Sequence, residues 1–332
     1  MLQGFLRRTR HGDRTVEADP NAPAPAPGRP SIGLALGGGA ARGFAHIGVL
    51  QTLLAHGLKP DVITGTSIGA VVGGFYAADQ LAVFSDWARE LTRRRVLAYL
   101  DVSFSGAGLI TGGRLARRLE ETLGRTKIES LPTRFAAIAT EIDTGHEVWL
   151  TRGRLLEALR ASYALPGIFG PVHIGGRWLV DGALVNPVPV SAARALDARI
   201  VIAVNLNADL LGRGSTIASH GSDEDEALAG AIADVNPDRG ERTGMEKLIR
   251  RRVLGRNGRP RIPSVMIEAY NVMQDRITRA RLAGDPADIV INPRLGEIGM
   301  FDFHRAEEAI KLGAEAAERS LEMVEQAIET LG

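Results

Sequence analysis

The sequence predicts an α/β fold layered around a mostly parallel sheet. Short, mainly apolar runs at residues 32–36, 62–64 and 200–205 alternate with longer stretches whose apolar residues recur at helical spacing. Glycine clusters stand where strand hands over to helix, at residues 37–43 and 65–69. Apolar residues make up 45% of the 332 residues, enough for a substantial core. No apolar run reaches the roughly 18 residues that a membrane span needs.

Residues 1–30 read as a disordered tail, because NAPAPAPGRP at 21–30 favours extended, polyproline-type conformations and offers little to pack. The folded part begins at Ser31 with a buried strand over 32–36. A helix follows over 42–56, with Phe44, Ile47, Leu50 and Leu54 on one face and Gly57 as its stop. A strand at 62–64 leads into a helix over 68–78, and helices over 81–99 and 114–123 come next. Strands at 135–140 and 147–150, a helix over 155–163, and strands at 178–180 and 200–205 complete a core spanning 31–206. Residues 207–262 break the rhythm. An acidic run, Asp223-Glu224-Asp225-Glu226, gives way to a basic stretch with nine Lys/Arg against two Glu between 239 and 261. This reads as a charged, partly flexible insertion. A helix over 264–282, a strand at 288–291 and a final helix over 304–331 complete the same domain.

Composition excludes several classes. The formal net charge is +1, so the global basic footprint of a nucleic-acid binder is missing. The chain has no cysteine, which removes disulfides, thiolate metal sites and a cysteine nucleophile. The first ten residues lack the apolar core of a secretory signal, so a cytoplasmic protein is expected. The basic stretch 245–261, with Leu248, Ile249, Val253 and Leu254 interleaved, has the composition to dock peripherally on an anionic inner membrane face. A solvated insertion is the plainer reading of the same charges.

Gly65-Thr66-Ser67-Ile68-Gly69 lies between a strand and a helix of small residues. A serine on so sharp a turn presents its hydroxyl at the top of a sheet, and glycines at Gly65 and Gly69 keep the turn clear of side chains. Ser67 is therefore the candidate nucleophile for acyl transfer. The pattern is cheap by itself, with about 0.2 matches expected by chance in a chain of this composition. The other glycine cluster, GGGAARG at 37–43, also leads a strand into a helix, an arrangement that favours anions. It fails as a dinucleotide fingerprint, because Arg42 stands at the sixth position from Gly37, and it fails as a P-loop, because Gly43 is followed by Phe44-Ala45. The remaining reading is an oxyanion hole made by the backbone N–H groups of Gly38, Gly39 and Ala40. Adjacent parallel strands would bring this loop and Ser67 to one edge of the sheet. Arg42 either steadies the loop, attracts an anionic head group or lies at the surface. No cofactor or metal is called for.

A serine hydroxyl needs a base. None of the seven histidines stands in an obvious catalytic turn. His46 falls on the first helix and reads as a core or solvent residue, while His304, at the start of the last helix, stays in play. Asp181, in Leu179-Val180-Asp181-Gly182-Ala183, is the better candidate, since it ends a strand and opens a turn. A plain Asp-Gly turn competes with that reading.

Taken together the motifs resemble the bacterial branch of the patatin-like phospholipase family, over residues 32–205 and in the C-terminal part from about 262. Four blocks match in order: GGGAARG at 37–43, GTSIG at 65–69, ASYALP at 161–166 and Asp181-Gly182-Ala183. The resemblance implies a three-layer α/β/α sandwich and a Ser-Asp dyad without histidine. Ser67 would be the nucleophile and Asp181 the base, with Arg42, Gly43, Gly65, Gly69 and Gly182 supporting the loops. The family's loop is commonly G-x-G-x-x-G, and aligned by Arg42-Gly43 this chain has Ala40 at the third position, where the family has its second glycine. Ala183 likewise replaces a second glycine after the aspartate. The implied substrates are lipid acyl esters, including phospholipids and lysophospholipids. An acyltransferase using the same dyad, or a non-catalytic anion- or lipid-binding module that kept the loops, are the rival readings.

Overall fold

A computed structural model describes residues 29–99, 113–209 and 262–331. Most of residues 1–30 and 207–262, read as a disordered tail and a charged insertion, lies outside the described residues, and with it the basic stretch 245–261 and its membrane reading.

The sheet contains β1 (Ile32–Leu36), β2 (Val62–Thr66), β3 (Arg134–Glu141), β4 (Glu147–Leu150), β5 (Val172–Ile174), β6 (Arg177–Asp181), β7 (Ile200–Val204) and β8 (Ile289–Ile291). The strands are hydrogen-bonded in the order β5-β6-β3-β2-β1-β7-β8, with β4 also on β3. The run β3-β2-β1-β7-β8 is parallel, while β4, β5 and β6 pair antiparallel. Both β1 and β7 are buried at every position, which is why they read as continuous apolar runs.

The pleat still sorts their side chains between two cores. Ile32, Leu34, Leu36, Ile200, Ile202 and Val204 pack into a large core shared with α1 (Ala45–Ala55), α2 (Ile68–Ala77), α3 (Leu81–Arg89), α6 (Leu155–Ser162) and α9 (Ala306–Glu318). Ala35, Val201 and Ala203 pack into a smaller one with α7 (Val190–Ala195), flanked by Leu282 of α8 (Ile262–Gly284). The result is the three-layer α/β/α sandwich. The remaining helices are α4 (Arg93–Tyr99), α5 (Gly113–Leu123) and α10 (Leu321–Leu331).

Several elements differ from the expectation. The helix expected over 42–56 starts with a 3-10 turn, Ala40–Phe44, before α1. The one expected over 81–99 is two helices. Thr92 starts the second by accepting the Arg95 N–H on its hydroxyl at 3.3 Å, and Leu91 turns inward between them. The one expected over 304–331 is a 3-10 turn, Phe303–Arg305, followed by α9 and α10, which part at Arg319-Ser320. There the Ser320 hydroxyl bonds back to the Ala316 carbonyl at 3.0 Å. Strand β5 and helix α7 were not expected. β5 joins β6 through Gly175-Gly176, both at positive φ, a hairpin signal that the sequence carried. Six residues after Pro189 are too few for α7 to show a period.

One feature of the pairing places the site. At residues 137 and 138, β3 has β2 on one side and β4 on the other; at 139 and 140 it has β4 and β6. β6 therefore takes over the edge of β3 that β2 leaves at Thr66. Its last residue, Asp181, pairs with Ala139 one step beyond the Thr66–Ile138 pair. An antiparallel strand thus delivers Asp181 to the carboxyl edge of the parallel strands, next to the residue that follows β2.

Candidate active site

Ser67 sits between β2 and α2 with φ 56° and ψ −123°, a conformation costly for any residue with a side chain. The surroundings hold it there. Its N–H donates to the Ser162 hydroxyl at 2.9 Å, and that hydroxyl donates to the Ile138 carbonyl at 2.6 Å. Thr66 and Thr64 tie β2 to the segment after Asp181, donating to Asn186 O at 2.7 Å and Pro189 O at 2.9 Å. A Cβ at Gly65, Gly69, Gly43 or Gly182 would run into the Ala70 backbone, the Leu36 carbonyl, the Ile68 side chain or the Ile138 carbonyl respectively. The four expected supporting glycines are thus required by close approach.

The Ser67 hydroxyl donates to Asp181 Oδ2 at 2.7 Å. Asp181 is 1% exposed, and its other oxygen, Oδ1, accepts the Ala183 N–H at 2.9 Å. The Thr140 hydroxyl donates to the Asp181 carbonyl at 2.9 Å and fixes the strand end. Burial pushes the Asp181 carboxyl up to about 7, against the opposing pull of the Ala183 N–H and the Ser67 hydroxyl. A carboxylate so shifted accepts a proton near neutral pH.

The glycine loop lies alongside. A Cβ built on Gly38 would stand 3.6 Å from Ser67 Cβ and 3.5 Å from Ala183 Cβ. Within the loop, the Gly37 N–H donates to Val204 O, the Gly38 N–H to Pro187 O at 3.0 Å, and the Ala41 N–H to Met300 O. Gly39 and Ala40 keep N–H groups with no acceptor among the described residues. Ala40 has φ 49°, the left-handed region, so the alanine in a glycine position keeps a glycine's conformation.

Arg42 is a loop brace. It is 2% exposed; its Nε donates to Gly39 O at 3.2 Å and its Nη2 to Asn271 Oδ1 at 3.3 Å. Burial lowers it to about 10, so it stays charged at neutral pH. His46 is fully buried with Nε2 2.8 Å from Gly37 O, and burial pulls it down to about 4. It is a neutral donor to the loop's backbone, far from the role of a base. His304 Nε2 accepts from Arg93 Nε at 3.1 Å.

A family model for patatin-like phospholipase matches residues 34–194. An uncharacterised NTE family protein of Mycobacterium tuberculosis is 34% identical over 89% of this chain and 92% of its own length. The chain belongs to the NTE family of patatin-like phospholipases. A protein named lysophospholipase NTE1 from Debaryomyces hansenii is 33% identical over 60% of this chain and 14% of its own length. The solved structure of VipD from Legionella pneumophila aligns with 90% of this chain and 67% of that one, at 11% identity and TM-score 0.44. As a patatin-like phospholipase the chain is a lipid ester hydrolase.

In this NTE family protein the site opens into an apolar cavity of about 990 Å³ including its mouth. Ser67 lies in its wall, with Phe44, Phe84, Trp87, Leu119, Phe169 and Met300 among the rest. These residues come from six separate segments of chain, so no local pattern announced the cavity. Sequence reading also left Ser162 without a role, although the ASYALP block contains it. Among the described residues, no helix is long and apolar enough to cross a membrane.

Proposed function

We propose that this protein hydrolyses lipid acyl esters through an acyl-enzyme on Ser67, with Asp181 as general base. The observation that carries the reading is the 2.7 Å hydrogen bond from the Ser67 hydroxyl to a buried carboxylate, in the wall of an apolar cavity. The acyl chain lies in the cavity, out of water. Asp181 takes the Ser67 proton as Oγ attacks the ester carbonyl. The Gly39 and Ala40 N–H groups receive the oxyanion; Gly38 contributes its bare Cα, since its own N–H is committed to Pro187 O. The alcohol leaves with the proton from Asp181. Water then attacks the acyl-enzyme, with Asp181 again accepting a proton, and the fatty acid departs. A lysophospholipid is the substrate class that the likeness to the Debaryomyces lysophospholipase favours.

Intact-mass analysis after a fluorophosphonate probe tests this. One adduct on wild type, none on Ser67→Ala and a much slower one on Asp181→Asn are expected. A wild-type adduct that persists in Ser67→Ala would overturn the assignment.

A further inference from the structure

The apolar cavity accounts for the acyl half of an ester and leaves the alcohol half without a partner. Beside Ser67, outside the cavity lining, α8 carries a polar arrangement that the dyad does not use. The point where a side chain would begin on Gly38 is 3.6 Å from Ser67 Cβ and 3.7 Å from Gln274 Nε2, ordinary contact distances. The nucleophile and a buried amide therefore face one small hollow.

The direction of that amide is fixed by its partners. Gly38 O can only accept, so the Asn207 group near it, at 3.4 Å, is Nδ2. Nδ2 also donates to Gln274 Oε1 at 3.2 Å. Gln274 Nε2 must then face the other way, where it donates to the Tyr270 hydroxyl at 2.5 Å. An amide nitrogen carries two protons. The second finds no acceptor among the described residues, although Gln274 is only 2% exposed. Burial, and then the Asp181 carboxylate, raise the Tyr270 phenol well above its ordinary value, so it stays neutral and serves as an acceptor that holds the amide.

We infer that Gln274 donates a hydrogen bond to the leaving oxygen of the ester, held in place by Tyr270 and Asn207. The inference rests on the acyl-enzyme reading. As Ser67 Oγ bonds to the carbonyl carbon and the C–O bond to the alcohol breaks, negative charge grows on the alcohol oxygen until Asp181 returns the proton. An N–H aimed there stabilises that charge. Its value depends on the leaving group: a glycerol-type alkoxide is a poor one and needs the donor, whereas p-nitrophenolate carries its charge unaided.

The test compares two esters of one fatty acid, a 1-acylglycerol and a p-nitrophenyl ester, on the full chain. In Gln274→Met the ratio of kcat/KM for the glycerol ester over the nitrophenyl ester should fall about ten-fold, equal to about 1.4 kcal/mol. In Tyr270→Phe, which only loosens the amide, it should fall about three-fold. An unchanged ratio in Gln274→Met overturns the inference. That holds whether both esters react as in wild type or both slow together, as they would if the amide merely braced Gly38 or served the oxyanion. If Gln274→Met fails to fold, Tyr270→Phe decides, and an unchanged ratio overturns the inference there too. Failure of the acyl-enzyme reading looks different, because Ser67→Ala would then keep turnover on both esters.

Discussion

Two consecutive strand-to-helix turns form the centre of this protein, and they are built alike. Each follows a buried parallel strand, β1 or β2, and each holds one non-glycine residue at positive φ, 49° at Ala40 and 56° at Ser67. They differ in what the strained residue offers. At Ser67 the turn aims a side chain, and its hydroxyl reaches a carboxylate 114 residues further on. At Ala40 the side chain is a methyl group, and what the turn leaves free is backbone N–H. In the proposed mechanism a residue at positive φ thus supplies a nucleophile in one place and electrostatic stabilisation in the other. Only the first depends on the identity of its residue; the second depends on conformation.

Substitutions at the two turns should separate these roles. The largest effect is expected at the nucleophile, where Ser67→Ala should lower kcat/KM on any acyl ester about 100,000-fold with little change in Tm. Asp181→Asn should follow, with a loss of about 1,000-fold. The same aspartate sets the pH profile: kcat/KM should rise with pH to half its plateau near pH 7, because the pushed-up carboxyl must lose its proton to act as base. Its effect on stability has the opposite direction. With the carboxyl raised in the folded state, the native protein holds a proton that the unfolded chain has lost between pH 4 and 7, as the shift to about 7 implies, so its contribution to stability falls as pH rises through that window. Asp181→Asn should therefore raise stability by on the order of 1–4 kcal/mol at pH 8 and by much less at pH 5, read from urea melts.

A smaller loss is expected from Ser162→Ala, which removes the acceptor for the Ser67 N–H. It should cost about 1–3 kcal/mol of stability and about ten-fold in kcat, with KM little changed. The smallest effect belongs to the other turn. Ala40→Gly relieves a left-handed alanine and should stabilise by about 1 kcal/mol while leaving kcat/KM within about three-fold. A large loss at Ala40→Gly would break the comparison by showing that the methyl group takes part.

What was legible in the chain was local. Buried strands β1 and β7, fully apolar, announced a covered parallel sheet, and glycine clusters marked the two turns. The helix breaks at Thr92 and Ser320 escaped because one hydroxyl, bonded to nearby backbone, interrupts an otherwise continuous apolar period. Arg42 left three readings open, since burial is a property of the surroundings, and only its contacts with Gly39 O and Asn271 decide for the brace. The burial of Gln274 on α8 and of Asn207 in the turn after β7 was invisible, because neither a helix nor a turn marks an amide as buried in its sequence.

By itself the sequence determined the α/β class, the two glycine turns and the residue types at each, because strand, turn and helix preferences act over a few neighbouring positions. Only the tertiary structure decided which carboxylate meets Ser67, where the apolar cavity lies and which charged or amide side chains are buried. Those follow from pairing between distant segments: β6 takes the edge of β3 that β2 vacates and brings Asp181 across 114 residues of chain. Desolvation, which gives that carboxylate its raised affinity for a proton, exists only once the layers have closed around it.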